Sequence, residues 1–311
     1  MQNLSKIIIL DIWLLVFGSF FWGCVGELEP VISDHEPVLN VFGFVSLDNK
    51  IPSFVVVHKT LVLEGSEWEI IGSDTIWYGD GPDDYWIYIR RESKYLVKDA
   101  TVIISDGETD YIFTHIEDPS MEDSSWLSYG LINDEAVYMD TSGFFTPSPS
   151  TAYTLNISTP DGMTLTGELT TSPVPQIHTE LVPDTLYNKI PYTITWVPIP
   201  DHYVIIRNHT HFYICGANQR DVLELGDSSW TSSVPRCEDD RWDYDELDTL
   251  EIQIMAMDEN YYEYFIKHAY EDEFVNFLLG GGSSGLAYGV EGGFGVFGSI
   301  ATDRIQRILV P

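Results

Sequence analysis

Tyr153 to Thr171, YTLNISTPDGMTLTGELTT, constrains the fold of this chain more than any other stretch. Tyr153, Leu155 and Ile157 point one way, while Thr154, Asn156 and Ser158 point the other. The same period resumes with Met163, Leu165 and Leu169 after Asp161-Gly162. Successive side chains of a strand face opposite sides of its sheet, so strict alternation demands one buried and one wet face. An Asp-Gly pair between two such runs is a hairpin turn. A helix cannot satisfy this pattern, which points to an antiparallel sandwich.

The rest of the chain repeats the signal. PVLNVFGFVSL, SFVVVHKTLVL and DDYWIYIRR are rich in Val and aromatic residues, and ATVIISDGETDYIFTHI carries a second turn at Asp106-Gly107. Pro173 and Pro175 in TTSPVPQI cannot sit in a central strand and mark a boundary. Beyond it, YTITWVPIPDHYVIIRN reads as strand, Pro-punctuated turn and strand, with Trp196 as a core residue, and LEIQIMAMD continues the pattern. The period then changes: Tyr261, Phe265 and His268 recur at helical spacing, which predicts an amphipathic helix from about Asn260 to Leu279, ended by Gly280 to Gly282. A Gly-rich loop and a last strand at Ile305 to Val310 complete the chain. The expected fold is mainly β: two antiparallel, immunoglobulin- or fibronectin-like sandwich domains, residues 38–172 and 173–311, with one helix near the C-terminus.

Ahead of this lies a different kind of segment. Lys6 begins it, Ile7 to Phe21 is almost wholly apolar, and Gly23 precedes Cys24. The run is interrupted by Asp11 and is shorter than the roughly 20 residues a membrane-spanning helix needs. These are the parts of an export signal, and small residue-Cys is how a bacterial lipoprotein signal ends. Residues 1–23 are therefore read as a signal peptide and Cys24 as the lipidated first residue of the mature protein. Phe21-Trp22 is bulkier than usual at that place; an uncleaved anchor and a core thiol are the other readings. The acidic, Pro-containing residues 24–37 form a tether. Cys215 and Cys237 are then left as a pair, 22 positions apart. In an oxidising compartment they are expected to form a disulfide worth about 3 kcal/mol in the chain-entropy treatment, the alternative being two buried thiols.

Forty-nine acids against 15 bases leave a net charge of −34. Such a field repels phosphate backbones, which excludes nucleic acid as a partner. Most of the acids are expected to be solvated surface. The densest run, CEDDRWDYDELD, offers Asp239, Asp240, Asp243 and Asp245 as oxygen ligands for calcium, though without the spacing of a helix-loop-helix site. DGPDD and EDPSMED are similar loops. His209 and His211 lie on one strand face, half of a metal site with no third ligand in view. Aromatics make up 14% of the chain, and loop tryptophans such as Trp68, Trp77, Trp86, Trp126, Trp230 and Trp242 would suit sugar stacking or a protein interface as well as packing. GGSSG at 281–285 fits G-x-S-x-G but lacks the strand-to-helix context of a nucleophile. GFGVFG at 293–298 fits a dinucleotide fingerprint but lacks a βαβ unit. No cofactor is implied, and the N-x-S/T triplets at Asn156 and Asn208 are read as chance.

The Gly23-Cys24 pair, ATVIISDG, YTLNISTPDGMTLTGELTTSPVPQI, MDENYYEYF and VEGGFGVFGS, in this order, resemble the domain of unknown function 4249 family, exported lipoproteins typical of Bacteroidota. The resemblance implies an envelope lipoprotein with two β domains, often encoded near TonB-dependent outer-membrane transporters, and it brings no catalytic residues. The expected function is thus a non-enzymatic, lipid-anchored binding or accessory component of an outer-membrane assembly. A surface glycan- or polymer-binding lipoprotein is the alternative, and a carboxylate-dependent hydrolase a third.

Overall fold

The computed structural model describes residues 36–60, 68–77, 85–116, 137–187, 189–210, 219–233, 248–267 and 286–310. They belong to one compact unit, Glu36–Leu61 with Ser66–Pro311; the other unit, Met1–His35 with Val62–Gly65, lies outside the described residues. The strands are β1 (Leu39–Leu47), β2 (Phe54–Lys59), β3 (Trp68–Trp77), β4 (Tyr85–Ser93), β5 (Thr101–Ser105), β6 (Asp110–Ile116), β7 (Val137–Met139), β8 (Ala152–Ser158) and β9 (Thr164–Thr170). After these come β10 (Thr185–Tyr187), β11 (Thr193–Thr195), β12 (Tyr203–Thr210), β13 (Gln219–Val222), β14 (Ser229–Thr231), β15 (Asp248–Met257), β16 (Ala287–Tyr288), β17 (Val290–Glu291) and β18 (Gly293–Val310). The chain is mainly β, as its periodicity requires.

One large sheet runs β13-β12-β15-β18-β1-β2-β7-β6-β5-β8-β9-β17, with β10 and β16 also paired to β18. β17 passes straight into β18 through Gly292, so the path that leaves β18 at β1 returns to it through β9 and β17. The sheet thereby rolls up on itself. Leu39, Val41, Val57, Val102, Phe113, Leu155, Leu165 and Phe297 fill the interior. The β8–β9 hairpin alternates buried and exposed residues over its whole length, as read from the sequence. The Asp106-Gly107 turn is also in place: the Asp106 carboxylate accepts from the backbone N–H of Glu108 and Thr109, at 3.0 and 2.7 Å.

β1 differs because it is buried on both faces. Leu39, Val41 and Val45 line the rolled interior, while Phe42 and Phe44 belong to a second cluster on the opposite face with Phe54, Val56, Val296 and Ile300. A strand between two cores reads as a continuous apolar run, the character of VLNVFGFV. The second cluster is capped by the helix α1 (Glu259–Tyr262) and the π-turn Glu263–Lys267 that continues it. Tyr261, Tyr264 and Phe265 are its buried contacts. The predicted helix thus begins within a residue of its expected start; residues 268–279, its remainder, lie outside the described residues. A third cluster packs β12, β15 and the end of β18 against the small β11–β14 sheet, with Trp196 buried at its centre.

The C-terminal tail corrects one expectation. The Gly-rich segment before Ile305 is not a loop: β18 runs unbroken from Gly293 to Val310. Its first half pairs in parallel with β1, from Leu39 opposite Gly293 to Leu47 opposite Ala301. Its second half pairs antiparallel with β15 and parallel with β10. Residues on both sides of the Pro173 boundary therefore share hydrogen bonds in one sheet. The glycines are there for space. A Cβ at Gly295 would collide with the Val41 carbonyl, and the backbone there has φ +107°, a conformation that side chains rarely adopt.

Gly295→Ala is expected to cost about 3 kcal/mol or more, since it combines a backbone collision with a positive-φ penalty. Gly107→Ala has the same sign of φ but open space around it, and should cost about 1 kcal/mol. Urea denaturation of both variants measures the difference; equal losses would refute the close-approach reading.

Candidate functional site

Most residues singled out from the sequence lie outside the described residues: Cys24, Cys215 and Cys237, the proposed calcium ligands Asp239, Asp240, Asp243 and Asp245, His211, Trp126, Trp242, and Ser283 of GGSSG. Of the others, Trp196 and Trp230 are both buried in the third cluster, and the Trp230 indole N–H donates to the Asp221 carboxylate at 2.5 Å. Asn208 of the second N-x-T triplet is buried too. Its amide donates to the Tyr192 hydroxyl at 2.6 Å, and its carbonyl accepts from the Gln219 N–H at 2.5 Å. Burial pushes the Tyr192 phenol up to about 12. These groups are committed to internal structure. Among the described residues no group of three His, Cys, Asp or Glu is placed to hold a metal ion.

Two polar constellations stand out because each is built on a buried aspartate, Asp48 in one and Asp258 in the other. The first joins the β1–β2 turn to the large sheet. The Arg304 guanidinium on β18 donates to the Asp48 carboxylate and lies 3.6 Å from Glu251, which also takes the Lys50 ammonium at 3.1 Å. Breaking a buried pair of this kind costs several kcal/mol because it strands a charge, so its role is structural.

The second lies where α1 meets β18. Asp258, at the N-cap of α1, is nearly inaccessible, and its Oδ1 accepts from the backbone N–H of both Tyr261 and Ser299, each at 3.0 Å. The Asp258 N–H donates in turn to the Ser299 carbonyl at 3.2 Å. Asp258 Oδ2 and the Ser299 hydroxyl are buried and have no hydrogen-bond partner among the described residues. Desolvation, opposed by those backbone donors and assisted by the nearby Glu259 charge, pushes the Asp258 carboxyl up to about 7. Two residues on, the Asn260 amide donates to the carbonyls of Phe297 on β18 and Glu168 on β9, at 2.9 and 3.0 Å, and Gly289 leaves room for it. One short stretch thus clasps helix, rolled sheet and long strand together. An Asp directly ahead of a helical run is a readable N-cap signal; its burial against Ser299 is not readable, because Ser299 lies 41 positions away.

The clasp brings MDENYYEYF against VEGGFGVFGS and YTLNISTPDGMTLTGELTT, three of the segments on which the family resemblance rests. A family described as Domain of unknown function (DUF4249) matches residues 27–306. The chain belongs to this family. No curated protein matches the DUF4249 chain. Among solved structures, the FN1–FN3 domains of chicken CNTN1 are similar over 66% of this chain and 73% of that one, at 14% identity and a TM-score of 0.23. Those values are too low for the likeness to carry any argument.

Asn260→Ala removes both donations and should lower stability by about 1–2 kcal/mol. Asn260→Asp sets a carboxylate against two carbonyl oxygens and should cost more than the alanine variant. Chemical denaturation at pH 7 ranks the two, and an aspartate variant as stable as wild type would refute the clasp.

Proposed function

We propose that this DUF4249 chain is a lipid-anchored envelope protein, held to the outer membrane through Cys24, that serves as a non-enzymatic binding or accessory component of an outer-membrane assembly, a TonB-dependent uptake system being the first assembly to test. The observation that carries this reading is the order of segments at the N-terminus: Ile7 to Phe21, then Gly23-Cys24, then an acidic stretch leading into β1 at Leu39. The family match begins at residue 27, directly after the proposed anchor. Cys24 would carry the lipid, and residues 24–37 would hold the β unit away from the bilayer. The net charge of −34 favours a partner with a basic face. A surface glycan-binding role is the alternative reading; of the tryptophans that would serve it, Trp230 lies in the core.

Expressed in a host that lipidates exported proteins, the wild-type chain should fractionate with membranes and the Cys24→Ser variant should not. A serine variant that still sediments with membranes would show that lipid on Cys24 is not the anchor. Affinity purification of the mature protein from solubilised membranes should recover an outer-membrane transporter or another envelope protein in stoichiometric yield. Its absence would overturn the accessory role while leaving the anchor standing.

A further inference from the structure

The clasp at Asp258 has a property that a merely structural cap does not need. Its carboxyl is nearly inaccessible, one oxygen takes the backbone N–H groups of Tyr261 and Ser299, and the other oxygen meets no donor among the described residues. A protonated carboxyl tolerates that environment far better than a carboxylate, because an ionised group with an unsatisfied oxygen away from water is strongly disfavoured. Among the described residues, the elements around it supply no counter-charge. Met255 to Met257 on β15, Gly298 to Ile300 on β18 and Val45 opposite Ser299 on β1 are uncharged. β12 contributes the Tyr203 phenol opposite Met257, and β9 contributes Glu168 through its backbone carbonyl, with the side chain exposed. On its own segment stand Glu259, whose charge opposes ionisation, the buried Tyr261 phenol, Tyr262, and the Glu263–Lys267 pair, which satisfy each other at 2.7 Å. Arg220 on β13 acts on Tyr261 and is no cause of the Asp258 shift.

We propose that Asp258 is a proton-controlled latch: while its carboxyl is protonated, the first turn of α1 stays clipped to Ser299, and loss of that proton to water frees the segment Glu259–Lys267 from the sheet. What the segment covers makes the opening consequential. Tyr261, Tyr264 and Phe265 pack on Phe42, Phe44, Phe54 and Val296, with Phe265 edge-on to Phe42 at 5.3 Å between ring centroids. Release uncovers this aromatic face of β1, β2 and β18, a surface the closed molecule hides.

The direction follows from linkage. The carboxyl titrates near 7 when closed and near its ordinary 3.8 when exposed to water. The closed form is therefore favoured fully in acid, loses ground by up to about tenfold per pH unit between about 4 and 7, and levels off above 7.

Hydrogen exchange of the full-length mature protein tests this at the backbone N–H groups of Tyr261, Tyr262 and Ser299 between pH 5 and 8.5. After correction for intrinsic exchange rates, protection should fall about tenfold per unit from pH 5 to 7 and flatten above. In Asp258→Asn, which keeps the accepting oxygen and lacks the charge, protection should vary less than twofold over the same range. Ser299→Ala, which retains the backbone bonds, should keep the wild-type slope. A flat wild-type profile, or a slope that survives in the asparagine variant, overturns the latch. Should that variant not fold, the Asp258 carboxyl carbon followed by NMR in the wild-type protein decides the matter: a midpoint near 7 supports the latch, and one below 5 refutes it.

Discussion

The parallel pairing of β1 with the first half of β18 is the contact on which the rest of the molecule depends. β1 opens the described chain and β18 closes it, so this pairing joins residues more than 250 positions apart. It holds three features in place at once. It closes the roll that begins at β2 and returns through β9 and β17, it builds the apolar floor on which α1 lies, and it carries the same strand onward into the third core beside β15. A parallel pair needs a long crossover between its strands. Here the crossover is nearly the whole protein, and the bend at Gly295 lets the two backbones meet with no Cβ against Val41.

The buried polar groups follow from that closure. A sheet packed on both faces has few places for charge, and the two sets it keeps are anchored at the β1–β2 turn and at the start of α1. Arg304, Asp48, Glu251 and Lys50 tie the β1–β2 turn to β15 and β18. Asp258 and Asn260 tie the start of α1 to β18 and β9. The first set neutralises itself by opposite charges. The second contains a carboxyl that meets backbone donors and no cation among the described residues, and the physical difference between an ion network and a titratable joint lies there.

Several of these features were legible in advance for a local reason. The alternation of Tyr153, Leu155, Ile157, Leu165 and Leu169 with polar residues is a direct consequence of strand geometry, so it is written in consecutive residues. The turn at Asp106-Gly107 and the helical spacing of Tyr261 and Phe265 are equally local. β3 is not legible from its period, because its register shifts at a bulge between Ile70 and Gly72. The Gly-rich tail reads as a loop, since glycine lowers strand propensity wherever no partner demands it. The joint at Asp258 is not legible locally, because its partner Ser299 lies on a distant strand.

The sequence by itself determined the mainly β class, the turns, the start of the helix, and a family membership carried by short segments in order. Each of these rests on interactions between residues close along the chain. Only the tertiary structure decided that VEGGFGVFGS is a strand, that the two ends of the described chain lie side by side, and that Asp258 loses its water. Those outcomes depend on which distant surfaces exclude solvent together, and a burial shared by residues 41 or 250 positions apart leaves no period in the sequence of either.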